Sequence, residues 1–220
     1  MIKGILIDID NTLYDYNHTH TIAMDSVYNK YLQDFSDLES FKKAFIAARS
    51  IVHSQLINTA SSHNRLLYFQ KTLELLNIKN TLFAKTLYDT YWNTFLDNIN
   101  LFEGVEEFFI ENSDKKICLV TDLTAYIQYR KIEKMGISQY VDFIVTSEEV
   151  GVEKPNSKMF ETALQKMQMQ SDEVCMIGDS YEKDIVGAKN LNIKAYWLTD
   201  KFSNDENIFI FNTFKGLRID

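Results

Sequence analysis

Asp8 and Asp10 stand two residues apart at the end of the apolar run Ile5-Leu6-Ile7-Asp8-Ile9-Asp10-Asn11-Thr12. A stretch as apolar as Ile2 to Ile9 reads as a buried strand, and two carboxylates at its carboxyl end meet where water is scarce and ionising both is costly. Folding does not require such a pair, so its cost points to chemistry. Other polar residues arrive in similar places: Thr121-Asp122 after a second apolar run, Glu153-Lys154-Pro155 in the loop after a third, and Gly178-Asp179-Ser180 with Asp184 after a fourth. Together these ends supply carboxylates, a hydroxyl and an ammonium. An oxygen-rich set of this kind suits a hard cation such as Mg²⁺ together with a phosphate oxygen. A calcium loop beginning at Asp8 is disfavoured, because the positions that need Gly and Glu hold Leu13 and Thr19.

The elements that must position these residues read as an α/β fold. Strands are expected at 2–9, 116–121, 141–146, 174–178, 194–198 and 208–211, with helices near 103–112, 123–135, 156–168 and 182–191. Their alternation implies a parallel sheet with right-handed crossovers, a Rossmann-like open sheet whose ligands bind outside the carboxyl ends of the strands. Between the first and second strands, apolar residues recur at helical spacing near 19–34, 38–58, 62–77 and 80–97. This block reads as a helical insertion, residues 16–100, into an α/β core made of 1–15 and 101–220.

Composition sets the surroundings. The 220 residues, 45% hydrophobic with 15 Phe and 12 Tyr, can bury a sizeable core. A net charge of -8 argues against nucleic acid as a partner. Cys118 and Cys175 lie in apolar runs, which suits reduced, buried thiols rather than a disulfide framework. The opening apolar stretch is broken by Asp8 and has neither a charged leader nor a cleavage site, and no run approaches the ~20 apolar residues of a membrane span. A cytoplasmic protein without a membrane partner is the expectation; the oligomeric state is not readable.

The four polar strand ends, in order and at these spacings, resemble the motifs of the haloacid dehalogenase-like (HAD) hydrolases, in the branch with a helical cap after the first strand. The resemblance covers nearly the whole chain: Asp8-Ile9-Asp10-Asn11-Thr12, Thr121, Lys154, and Gly178-Asp179-Ser180-Tyr181-Glu182-Lys183-Asp184 are its four parts. It implies that Asp8 is a nucleophile taking up a phosphoryl group and Asp10 the general acid/base. Thr121 and Lys154 would bind phosphate and balance charge. Asp179 would hold Mg²⁺ with Asp8 and the main-chain carbonyl of Asp10. Asp184 and Ser180 would support this set, with a helix cap as the alternative for Asp184. A neighbouring carboxylate and partial burial would favour the proton that Asp10 needs as an acid. Asp122 replaces the asparagine common in the family. Its side chain is expected to cap the helix that follows, leaving its amide for the substrate.

Dehalogenating members lack an aspartate at the place of Asp10, so the resemblance favours a Mg²⁺-dependent phosphatase forming an aspartyl phosphate. The substrate would be a small phosphorylated metabolite, a sugar phosphate or a nucleoside monophosphate. A phosphomutase of the β-phosphoglucomutase type and a non-catalytic binding module on the same fold are the alternatives. Within the insertion, Ser61-Ser62-His63-Asn64-Arg65 reads as a helix start whose Arg65 opposes the helix dipole. Arg65 and His63 are candidate substrate-binding residues there, against the alternative of an exposed, solvated charge. Tyr14 and Tyr16 fall at the junction of the two parts.

Overall fold

The computed structural model describes residues 1–79 and 81–219. Position 80, the expected first residue of the 80–97 helix, and position 220 lie outside the described residues. The chain forms two compact units, one of residues 1–15 with 100–220 and one of residues 16–99.

The first unit is built on six strands, β1 (Gly4–Ile7), β2 (Lys116–Thr121), β3 (Phe143–Thr146), β4 (Val174–Gly178), β5 (Lys194–Leu198) and β6 (Ile208–Phe211). All pair in parallel, in the order β3-β2-β1-β4-β5-β6. The central strands are apolar on both faces and buried throughout, as parallel sheets require. One face is packed with Leu6, Cys118, Val120 and Met176 against Met159, Phe160, Ala163 and Met167 of a following helix. Cys118 and Cys175 sit on the two strands flanking β1, and burial pushes both thiols up to about 12.

β1 is shorter than the apolar run suggested. Its register, Ile7 beside Leu119 and Ile177, sets Asp8 between the carboxyl ends of β2 and β4, and the Asp8 amide still donates to Ile177 O at 3.0 Å. There the chain turns back: Leu13 N donates to Ile9 O at 3.0 Å and Asn11 takes a left-handed φ of 62°. Asparagine tolerates that conformation better than most residues. The strand order reverses direction at β1, the kind of place where open α/β sheets bind ligands.

In chain order the helices of this unit are α5 (Val105–Glu111), α6 (Ala125–Met135), α7 (Ser147–Val150), α8 (Ser157–Met167) and α9 (Val186–Lys189). The short α7 was not anticipated. The expected 182–191 helix is a π-helical turn, Tyr181–Ile185, leading into α9.

The second unit is α1 (Tyr16–Val27, continued by a π-helical turn through Leu32), α2 (Leu38–Gln55), α3 (Arg65–Leu75) and α4 (Thr81–Asp97). Asp37 caps α2 by accepting from Ser40 N at 2.9 Å, and Asn64 caps α3 by accepting from Leu66 N at 2.9 Å. Its interior is aromatic, with Phe41, Phe45, Phe69, Tyr91, Trp92 and Phe95 buried. No helix among the described residues is long and apolar enough to cross a membrane.

Candidate active site

Asp8 is 7% exposed, and Lys154, 4% exposed, donates to its Oδ1 at 2.5 Å. The same ammonium donates to Asp184 Oδ1 at 2.6 Å, so one buried cation bridges two buried carboxylates. Asp184 in turn accepts from Ser180 N through Oδ2 at 3.0 Å. Gly178 makes room for this arrangement, because a Cβ on it would stand 2.3 Å from Asp184 Oδ2. Burial alone would discharge Lys154; Asp184, then Asp8 and Asp122, outweigh it and hold the ammonium above its ordinary range. Burial raises Asp184, with Lys154 opposing. Asp8 is pushed up to about 7 by burial, against Lys154, with Asp184 and Asp10 adding to the rise.

Asp179 completes the cluster. Its amide donates to Thr12 Oγ1 at 3.1 Å, and that hydroxyl lies 3.3 Å from both Asp8 Oδ2 and Asp179 Oδ1. Trp197 Nε1 holds the Asp179 carbonyl at 2.8 Å. Burial first, then Asp8, pushes Asp179 up to about 6. Carboxylate oxygens of Asp8, Asp179 and Asp184 lie within 4.8 Å of one another. Two buried carboxylates share the ammonium of Lys154 and a third, half-buried one stands beside them, and this surplus of hard, negative oxygens fits a small divalent cation.

Thr121, buried at the end of β2, accepts from Gln128 Nε2 at 2.6 Å. Asp122 departs from the cap role expected of it. Its Oδ1 accepts from Lys154 N at 3.0 Å and its Oδ2 from Lys183 Nζ at 2.7 Å, while Thr124 occupies the N-cap position of α6. The extra charge is thus absorbed by a lysine from the fourth motif. Ser180 Oγ accepts from Lys183 N at 3.3 Å, which ties the start of the π-helical turn.

Asp10 differs from the sequence expectation in its charge. Lys131 from α6, 0% exposed, donates to both its oxygens, at 2.6 and 2.9 Å. Tyr14 donates to Oδ1, and Gln128 Nε2 approaches Oδ2 at 3.4 Å. Burial would favour the proton, but Lys131, Tyr14 and Gln128 outweigh it and hold the carboxyl below its usual range. The neighbouring carboxylate therefore does not decide its state. Lys131 and Gln128 were not anticipated, since one lysine on an amphipathic helix reads as a solvated charge. Their signal is positional: with Ile127, Ile132 and Met135 they share the buried stripe of α6, where a lysine needs an anionic partner.

In the second unit Arg65 is 9% exposed, which excludes the solvated-charge alternative. Its guanidinium carbon lies 5.2, 5.8 and 5.9 Å from the ring centroids of Tyr68, Trp92 and Tyr16. Nη1 donates to His63 O at 2.6 Å and Nη2 to the Tyr16 hydroxyl, whereas Nε is buried without a hydrogen-bond partner. His63 therefore meets Arg65 through its main chain, and its ring packs edge-on against His53 at 4.8 Å. Burial, then Arg65 and Arg49, lower His20 to about 4, leaving it neutral beside this cation.

The family model of the haloacid dehalogenase-like hydrolases matches residues 5–198. The chain is 36% identical over 201 residues to the ribulose-1,5-bisphosphate 5-phosphatase of Halopiger xanaduensis, spanning 89% of this chain and 84% of that protein. It is 26% identical to the glyceraldehyde 3-phosphate phosphatase of Methanothermobacter thermautotrophicus, over 94% of this chain and 89% of that one. The magnesium-bound HAD-hydrolase YfnB of Bacillus subtilis shares the fold with a TM-score of 0.75 at 16% identity, covering 98% and 96% of the two chains. With the parallel sheet and its acidic edge, the match across most of the chain shows that this protein belongs to the haloacid dehalogenase-like hydrolases, as a phosphoric monoester hydrolase.

Proposed function

We propose that the protein is a Mg²⁺-dependent phosphatase that hydrolyses a small sugar phosphate through a phosphorylated Asp8. The observation that carries this reading is the pairing of Asp8 with Lys154 at the end of β1, with Asp179 beside it. Lys154 engages Oδ1 at 2.5 Å and the Thr12 hydroxyl meets Oδ2 only at 3.3 Å, so the attack is assigned to Oδ2. In the first half-reaction a bond forms from that oxygen to phosphorus while the bond to the leaving oxygen breaks, and the leaving oxygen takes a proton relayed through Asp10 from solvent and departs as the alcohol. In the second, water attacks phosphorus, the bond to Asp8 breaks, and inorganic phosphate leaves. Splitting the hydrolysis this way replaces one slow step by two faster ones.

Charge decides the rest. Phosphoryl transfer spreads negative charge over three equatorial oxygens, so its catalysis is mainly positioning and electrostatic stabilisation. The Thr121 hydroxyl would donate to one of those oxygens, and Lys154 offsets the repulsion between nucleophile and phosphate. A divalent cation held by Asp8, Asp179 and the Asp10 carbonyl would supply further charge neutralisation when bound.

The substrate class is supported from two sides. Both curated relatives named above act on phosphorylated sugars or trioses. Beside Asp179 a cleft of about 340 Å³ is lined by the amides and hydroxyls of Asn11, Thr199, Asn212 and Thr213, which suit a polyhydroxy body, together with the carboxylates of Glu103 and Asp200 and three apolar side chains. In this reading residues 16–99 act as the cap that sets specificity, and Arg65 with His63 recognises an anionic group of the substrate remote from the reacting phosphate. A phosphate-release assay over a panel of sugar phosphates, triose phosphates and nucleotides tests the proposal. Release dependent on Mg²⁺ and lost in Asp8→Asn is expected; more than about 1% of wild-type turnover in that variant overturns it.

A further inference from the structure

Both oxygens of Asp10 are met only by donors in the contacts described above: Lys131 on each, Tyr14 on Oδ1 and Gln128 on Oδ2. A carboxylate is an acceptor through all its lone pairs, whereas a protonated carboxyl carries an O–H that needs an acceptor of its own. Three donor groups converging on one side chain therefore shape a place for a proton acceptor. They also fix its direction, because an ammonium astride both oxygens restrains rotation of the carboxylate plane.

Lys131 has a built position. It stands three residues after Gln128 on the buried stripe of α6, one helical turn along. Gln128 Nε2 also reaches Thr121 Oγ1 at 2.6 Å and the Asp122 carbonyl at 2.8 Å. The helix that follows the phosphate-binding motif thereby reaches the first motif as well. A buried ion pair adds little to stability beyond what an apolar pair of the same shape would supply, so stability alone does not explain Lys131.

We propose that Lys131 is a positioning residue for the second half-reaction: it holds and aims the Asp10 carboxylate to take a proton from the water that attacks phosphorylated Asp8. This inference rests on the phosphatase reading above. The step balances, with water oxygen bonding to phosphorus, the phosphorus bond to Asp8 Oδ2 breaking, the water proton passing to Asp10 and phosphate departing. Forming the phosphoryl-enzyme from an ester with a good leaving group makes no demand on Lys131, since such a group departs without a proton.

The test is rapid-quench kinetics with p-nitrophenyl phosphate and Mg²⁺ on the full chain, reading nitrophenol release and the fraction of protein trapped as acid-stable, hydroxylamine-cleavable phosphate. For Lys131→Met we expect the first-turnover rate within about threefold of wild type and steady-state turnover at least 30-fold slower. Most of the protein should then be trapped as phosphoryl-enzyme, and Lys131→Arg should recover turnover to within about fivefold. Equal slowing of both phases, no slowing of either, or no recovery with arginine overturns the proposal. If Lys131→Met does not fold, Tyr14→Phe removes another donor from the same carboxylate; it should slow the second phase selectively, by about threefold or more, and unselective or absent slowing overturns the proposal equally. Failure of the underlying reading looks different: wild-type protein would turn over without any trapped phosphate, or Asp8→Asn would remain active.

Discussion

Two buried lysines serve the α/β unit, and they keep different company. Lys154 is shared by Asp8 and Asp184 with Asp179 close by, so that region holds more negative than positive charge. Lys131 donates to both oxygens of Asp10, with Tyr14 and Gln128 adding neutral donors. The first region carries surplus negative charge that a cation from solution would offset; in the second, one ammonium meets one carboxylate. The consequences are opposite in sign: burial, with neighbouring carboxylates adding to it, lifts Asp8 and Asp179 to about 7 and about 6, while Lys131, Tyr14 and Gln128 outweigh burial and depress Asp10. The helical unit extends the series, since Arg65 is a buried cation with aromatic faces, a carbonyl and a hydroxyl around it.

The largest effect should come from the surplus region. Asp8→Asn should reduce phosphate release on the order of 10³-fold or more, measured with the best ester of the panel. Lys154→Met should be inactive as well, and should lower unfolding free energy by about 3–5 kcal/mol in denaturant titration because it strands two buried carboxylates. A loss under 1 kcal/mol would mean that the cluster does not depend on its ammonium.

The pair of Lys131 and Asp10 should fail in a graded way. Asp10→Asn should slow hydrolysis of an alkyl phosphate by about 10²–10⁴-fold, yet still allow an aryl phosphate to form the phosphoryl-enzyme and stall there. Normal steady-state turnover of the aryl ester would remove Asp10 from the second step.

The pH dependence of stability separates the two regions without an assay. Carboxyls whose pKa is raised on folding bind more protons in the native state, so Asp8 and Asp179 cost stability as pH rises from about 4 to 7. Asp10, with its pKa depressed, contributes stability above the unfolded value and loses it as pH falls through the folded one. In chelator, Asp8→Asn should therefore raise Tm relative to wild type more at pH 7.5 than at pH 5, and Asp10→Asn should lower it at pH 7.5. Mg²⁺ at 100 times its Kd should stabilise wild type by about 2.7 kcal/mol, roughly 5–10 °C, with a smaller gain in Asp8→Asn. Equal gains would place the cation elsewhere.

The smallest effect concerns Arg65. Arg65→Met should weaken kcat/KM by about 1–3 kcal/mol for a substrate with a second anionic group while sparing p-nitrophenyl phosphate. Equal losses for both would assign the cation a purely structural part.

The parts of this site that could be read from sequence share one property: each follows an apolar strand. Asp8, Thr121 and Asp179 were legible because a polar residue ending a buried run is conspicuous, and Lys154 because it sits in the loop between two such runs. Lys131 and Gln128 were hidden because their partner lies in the turn after β1, 121 residues from Lys131, and helix periodicity alone does not say what a buried polar residue meets. The same blindness misjudged Asp10, whose visible neighbour was Asp8 and whose deciding neighbour was remote. Asp122 was misread for a related reason: its position before a helix suggested a cap, but Lys183, from the fourth motif, claims it. The helical unit was legible as helices and little else, since its aromatic spacing specifies a core without saying that Arg65 would be enclosed by it.

The two cysteines give the molecule an internal reporter. Cys118 and Cys175 lie on either side of β1, fully enclosed and with thiols far from ionising at neutral pH. A thiolate-selective alkylating reagent reaches neither until the sheet that carries Asp8 comes apart. The rate of labelling is then a clock for opening of the strands beneath the active site, read in the same sample as activity. A substitution that silences turnover while the clock keeps wild-type time has altered chemistry; one that speeds the clock has loosened the scaffold.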